Sequence, residues 1–144
     1  MKDTNNLLDY NQWVADYDET PDGFYHGAGL NVYCSNKIST IGESSFKFIK
    51  VSSSSAWAEV RKTSNDTQFT GTADIYNPNA DGFIMMVITY TDNTQSTSRT
   101  NVSISNSLQK DISCSIDATS GKTVSNVALR FVLDGGYADN LRLN

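Results

Sequence analysis

Apolar residues in this 144-residue chain recur at every second position over short runs, and almost nowhere at helical spacing. Ala73 and Ile75 alternate with Thr72, Asp74 and Tyr76. Ile112, Cys114 and Ile116 alternate with Ser113 and Ser115. Val127, Leu129, Phe131 and Leu133 alternate with Ala128, Arg130 and Val132, and Leu141 and Leu143 bracket Arg142. A period of two places one set of side chains on a core and the other in water, so each run reads as a half-buried strand. Further strands are expected near 29–35, 46–51, 57–62 and 83–91. Turn clusters separate them: 77–82, 91–94, 118–121 and 134–136. Residues 7–16 are the one helical candidate, and Asn, Asp and Tyr dilute it. About eight to ten short strands punctuated in this way predict an all-β chain, an antiparallel β-sandwich of jelly-roll type. At 144 residues it is expected to be a single domain over 1–144, with one proper core.

Charge and composition narrow the partners. Sixteen acidic residues against eleven basic give a net charge of −5, a sign that repels phosphate backbones and anionic lipid. No nucleic-acid partner is expected. No membrane insertion is expected either, because no apolar run approaches the ~20 residues of a span. Ser, Thr and Asn make up roughly a third of the chain, while aromatic residues stand at 10%, which argues for a folded domain with a polar surface. The N-terminus has no apolar signal-peptide core. The chain is therefore either cytosolic or a module of a longer secreted protein, and the composition favours the second.

Enzyme chemistry has little to stand on. The single histidine, His26, lies in Phe24-Tyr25-His26-Gly27-Ala28-Gly29, and one histidine excludes a multi-histidine metal centre. Its surroundings carry no nucleophile-elbow pattern, and Gly27-Ala28-Gly29 has no phosphate-loop continuation. Residues 16–23 hold four acids but fail as a calcium loop: the third acid is late, Pro21 stands where a flexible glycine is needed, and no bidentate glutamate follows. That stretch reads as a solvated loop. Cys34 and Cys114 lie in alternating runs and read as buried free thiols rather than a disulfide. The sequons at Asn65 and Asn101 matter only if the source glycosylates the chain. One strand breaks the alternation: Phe83-Ile84-Met85-Met86-Val87-Ile88 is apolar on both faces. Either it is a central strand with its second face covered, or that face floors a ligand groove.

The order of motifs resembles the jelly-roll carbohydrate-binding modules that accompany xylanases and cellulases, within the galactose-binding-like group. The matching pieces begin with Asn6-Leu7-Leu8 and Gly42-Glu43-Ser44-Ser45-Phe46-Lys47-Phe48. Trp57 with Val60, Phe69 to Tyr76 and Val87-Ile88-Thr89-Tyr90-Thr91-Asp92 follow. Val127 to Phe131 and Tyr137-Ala138-Asp139-Asn140-Leu141-Arg142-Leu143 close the series. The last piece, like the family's Tyr-Ile-Asp-Asp-Val-x-Leu ending, is the most specific. The family's tryptophan near 109–116 is replaced by Leu108-Gln109-Lys110.

That resemblance implies two sites. The first is a structural calcium held by Asp139, with Asp9 as a candidate partner; oxygen ligands suit this hard cation. The alternative is that Asp139 caps a turn after Gly135-Gly136. The second is a sheet face that binds a polysaccharide or glycan chain. Parity turns Trp57, Glu59, Arg61, Asp74, Tyr76 and Arg130 away from the core, and those sharing the concave sheet would form an aromatic and charged groove. The alternatives are that Trp57 packs beneath the Ser52–Ser55 loop and that Arg130 pairs with Asp74 or Glu59. The resulting expectation is a non-catalytic, extracellular or cell-surface module holding a larger protein on a glycan, beside neighbouring domains of its parent chain. An adhesive module of a surface adhesin or virion fibre is the rival, and an exposed apolar patch around Met85 and Val87 would favour it. A small glycoside-active enzyme is a third reading, requiring two carboxylates converging in the groove.

Overall fold

The computed structural model describes residues 23–35 and 45–144, and within them the chain forms ten strands. These are β1 (Phe24–His26), β2 (Leu30–Ser35), β3 (Ser45–Lys50), β4 (Ala58–Lys62), β5 (Gln68–Tyr76), β6 (Gly82–Tyr90), β7 (Gln95–Val102), β8 (Gln109–Asp117), β9 (Val124–Val132) and β10 (Tyr137–Leu143). Two five-stranded sheets, ordered β1-β4-β9-β6-β7 and β2-β3-β10-β5-β8, pair their strands antiparallel and pack into a β-sandwich. No helix among the described residues is long and apolar enough to cross a membrane. The helical candidate at 7–16 and nearly all of the acidic stretch at 16–23 lie outside the described residues.

The alternating apolar sets form the core. Phe24, Ala58, Val60, Val127, Leu129, Phe131, Ile84, Met86 and Ile88 come from the first sheet, and Leu30, Val32, Phe46, Phe48, Phe69, Ala73, Ile75, Leu141 and Leu143 from the second. Phe131 stacks on Phe48 at 5.0 Å between ring centroids, and Phe24 packs on Phe46 at 4.8 Å, so aromatic pairs bridge the layers. Gly71 permits that approach: a methyl there would lie 2.6 Å from Met86 Sδ and 2.7 Å from Leu129 Cδ1.

β7 is the longest strand that alternation does not reveal, because Gln95–Val102 is almost wholly polar. It forms one edge of the first sheet, with Ser96, Ser98 and Thr100 opposite the core residues Ile88, Met86 and Ile84. Hydrogen bonds replace apolar burial along it. Thr100 Oγ1 donates to the Ser113 carbonyl at 2.8 Å, and Cys114 Sγ to the Ser98 carbonyl at 3.2 Å, joining β7 to the edge strand β8 of the other sheet. The Tyr90 hydroxyl, on a ring 2% exposed, closes one end: it accepts from the Thr119 N–H at 2.7 Å and meets Ser96 Oγ at 2.8 Å.

The two cysteines are not bridged to each other. Cys34 on β2 and Cys114 on β8 occupy opposite edge strands of the second sheet, with three strands between them. At about 4.8 Å per strand that separation far exceeds what a disulfide spans.

Candidate functional site

The outer face of the first sheet gathers the charged and aromatic side chains that alternation turns away from the core. Tyr25 on β1 pairs with Glu59 on β4, Glu59 with Arg130 on β9, Arg130 with Met85 on β6, and Met85 with Arg99 on β7. One row thus crosses all five strands, a span of about 19 Å at the usual strand spacing. Three guanidinium groups on this face each lie over an aromatic ring: Arg61 over Tyr25 at 3.9 Å, Arg130 over Trp57 at 4.6 Å and Arg99 over Phe83 at 4.4 Å. Stacking holds the planar guanidinium while leaving its N–H groups around the edge free to donate.

Glu59 is the hub of the row. Its side chain is 3% exposed, and its two oxygens are divided between two arginines: Arg61 Nε donates to Oε2 at 2.6 Å and Arg130 Nε to Oε1 at 2.7 Å. Of the two carboxylates expected as partners for Arg130, Glu59 is therefore the one it meets. Burial sets the weight of the pair, because a carboxylate cut off from water depends on its donors far more than a surface one does.

Trp57 is half-buried at the entrance to β4, and its position depends on a glycine pair that sequence patterns alone left without a role. The Gly27 N–H donates to the Trp57 carbonyl at 2.9 Å, the Gly29 N–H to Ser55 O at 3.1 Å, and the Gly29 carbonyl accepts from Val51 and Ser52. A methyl on Gly27 would lie 2.1 Å from Ser55 O and 2.8 Å from Trp57 Nε1. The serine loop 52–55 is seated on these glycines, and Trp57 is both packed beside that loop and stacked under Arg130. The signal in sequence was small residues flanking a short strand, which is too common to single out without the contact.

The doubly apolar strand β6 serves core and surface unequally. Ile84, Met86 and Ile88 are fully buried in the core; on the other face Val87 is 2% exposed, while Phe83 and Met85 are half-buried. The apolar patch that would have favoured a protein contact is therefore largely closed over at Val87. At the start of β6 the face opens into a groove of about 360 Å³ lined by Asp81, Gly82, Phe83, Arg99, Asn101, Val102 and Ser103.

Asp74 and Tyr76 do not join this face. β5 belongs to the second sheet, between β10 and β8, so both point outward on the opposite side of the sandwich. Trp57 and Tyr76 consequently cannot lie coplanar in one groove. Tyr76 stacks on Tyr137 at 5.9 Å, with Lys47 Nζ 5.4 Å from the Tyr137 ring. Asp74 is 3% exposed and accepts from the Asp111 N–H at 2.9 Å and from Asn140 Nδ2 at 3.4 Å. Asp111 and Asn140 both have positive φ, and the pairing register of β5 shifts against both neighbours here, so Asp74 ties two irregular strands together. Asp139, also 3% exposed, is the Cα partner of Asp74 across β5–β10. Asp9 lies outside the described residues, and among those described no group of three or more His, Cys, Asp or Glu side chains is gathered. His26 is exposed as the last residue of β1, with its Nδ1 2.8 Å from the Gly27 carbonyl.

The fold is that of the jelly-roll carbohydrate-binding modules. The CBM22-1 xylan-binding domain of Paenibacillus barcinonensis Xyn10C superposes with a TM-score of 0.61 at 8% identity, over 89% of this chain and 88% of that one. The CBM22-1–GH10 modules of the Clostridium thermocellum xylanase 10B, solved with xylohexaose, give 0.59 at 11% identity over 85% of this chain. This chain spans 26% of that protein's length. A cyclase from Fischerella sp. TAU gives 0.56 at 16% identity over 87% of this chain and 85% of that one. No protein-family model matches the sequence, and no curated protein matches it. One architecture thus houses binding modules and an enzyme, so function has to be argued from the site.

Proposed function

We propose that this chain is a non-catalytic carbohydrate-binding module that holds a larger extracellular or cell-surface protein, together with its neighbouring domains, on a polysaccharide. The observation that carries the reading is the row of guanidinium–aromatic pairs across the outer face of the first sheet. It offers flat apolar surface beside rigid N–H donors, the combination that the CH faces and hydroxyls of a sugar chain require. The likeness in fold to xylan-binding modules supports the same reading. A catalytic role is disfavoured by chemistry: Glu59 is sequestered between two arginines, and Asp81 is the one carboxylate among the residues lining the groove, where glycoside hydrolysis uses a pair. Affinity gels containing xylan or a β-glucan should retard the wild-type protein. Trp57→Ala should weaken that binding at least about tenfold, the scale of losing one stacked aromatic anchor. Retention unchanged in a folded Trp57→Ala variant would remove this face from consideration.

We also propose that a calcium ion is held by Asp139, with Asp74 opposite it and Asp9 as a further candidate ligand. Asp74 and Asp139 are buried cross-strand partners, and carboxylate oxygens gathered in this way suit a hard cation. Chelation should then lower the melting temperature of the wild-type protein by about 5 °C or more, and calcium should restore it. Asp139→Asn should remove the response to chelator. A melting temperature indifferent to both calcium and chelator would discard the ion.

A further inference from the structure

Three of the four arginines of the chain, Arg61, Arg99 and Arg130, stand on the outer face of the first sheet, although the chain as a whole carries a net charge of −5. Glu59 is the one acid in the row they form, and it engages Arg61 and Arg130 together. Asp81, at the edge of the groove, offsets a second charge, so the three arginines leave this face a net charge of about +1, and Arg99 is the one of them that no carboxylate pairs among the described residues. Arg99 has no carboxylate within ion-pair distance among the described residues; its guanidinium instead lies over Phe83, on the exposed side of β7. An arginine held by an aromatic ring, with its fork unclaimed and facing an open groove, is built to receive a planar anion in two parallel hydrogen bonds. The groove also presents Asn101 and Ser103, which suit the hydroxyls around such an anion. Asp81 lines the same groove with one oxygen committed to the Ile104 N–H, which sets a negative boundary to the space an anion can occupy.

We infer that the polysaccharide recognised by this face is acidic, and that the Phe83–Arg99 end of the groove takes the carboxylate of a uronic acid unit. The inference rests on the carbohydrate-binding reading above and names the class of sugar within it. A neutral glycan would leave the Arg99 fork to water, whereas a carboxylate gains a charge-assisted pair in a place where the surrounding face is already positive.

The test compares polyuronates (glucuronoxylan, polygalacturonate and alginate) with the same polymers after chemical reduction of their carboxylates to alcohols, by affinity electrophoresis and calorimetry. At least one native polymer should bind about tenfold or more tightly than its reduced counterpart at low salt, and the gap should narrow as ionic strength rises. Arg99→Gln should close the gap, weakening binding to the native polymer about tenfold or more and binding to the reduced polymer far less. Arg99→Lys should restore the preference in part, keeping the charge without the fork. Equal binding of native and reduced polymers, or a preference that survives Arg99→Gln, overturns the inference and leaves the carbohydrate-binding reading intact. Equally tight binding of dextran sulfate, with the same dependence on Arg99, also overturns it, by showing attraction to any polyanion. Failure to bind every polymer, native or reduced, overturns the carbohydrate-binding reading and this inference with it.

Discussion

The Arg61→Ala/Arg130→Ala double variant is expected to lose about 3–5 kcal/mol of stability, the cost of stranding a buried carboxylate without its donors. Adding Glu59→Gln to that double variant should recover more than half of the loss. The asymmetry comes from exposure: the Glu59 side chain is 3% exposed, whereas Arg61 and Arg130 are 38% and 24% exposed and can turn to water. Glu59→Gln in the otherwise unchanged protein should therefore cost less than removing the two arginines. Urea denaturation of the four proteins measures each step. A triple variant no more stable than the double would show that the carboxylate is not the source of the cost, and the row would then be a loose surface pair.

Phe131→Ala should cost about 3–5 kcal/mol, the range for truncating a fully buried aromatic residue. Its ring is 0% exposed and stacks on Phe48 from the opposite sheet, with Phe24 a further neighbour at 6.5 Å. β9 lies between β4 and β6 at the centre of the first sheet, so the space left behind is walled by strands that cannot close over it. Phe131→Leu, which keeps most of the volume, should cost no more than about 2 kcal/mol. A loss below about 1 kcal/mol for the alanine variant would mean that the two layers are not packed through this ring. The two predictions are separable because Phe131 and Arg130 are consecutive residues on opposite faces of one strand. The first perturbs the proposed binding face and the second the core.

Most strands were legible because alternation is a local property. A residue two positions from a buried valine or leucine in an extended chain shares its side, whatever lies beyond. Glu59 and Arg130 could thus be placed outward from sequence, as could Asp74 and Tyr76. Two strands escaped that reading. β1 is only three residues long, and β7 is polar because its inward positions serve hydrogen bonds to β8 and Tyr90 rather than apolar contacts. The role of Gly27 was likewise invisible, since it consists of a backbone contact with a loop about 28 residues away.

The sequence by itself determined the all-β class, the inward and outward sides of most strands, and the chemistry available on each. Tertiary structure alone decided which outward residues meet. Parity states whether a side chain faces the core, but it does not state which of two sheets carries the strand, because that is set by hydrogen bonding between segments far apart in the chain. β4 and β9 pair directly, so Glu59 and Arg130 touch across 71 residues of sequence; β5 pairs instead with β8 and β10, so Asp74 and Tyr76 look out from the other side.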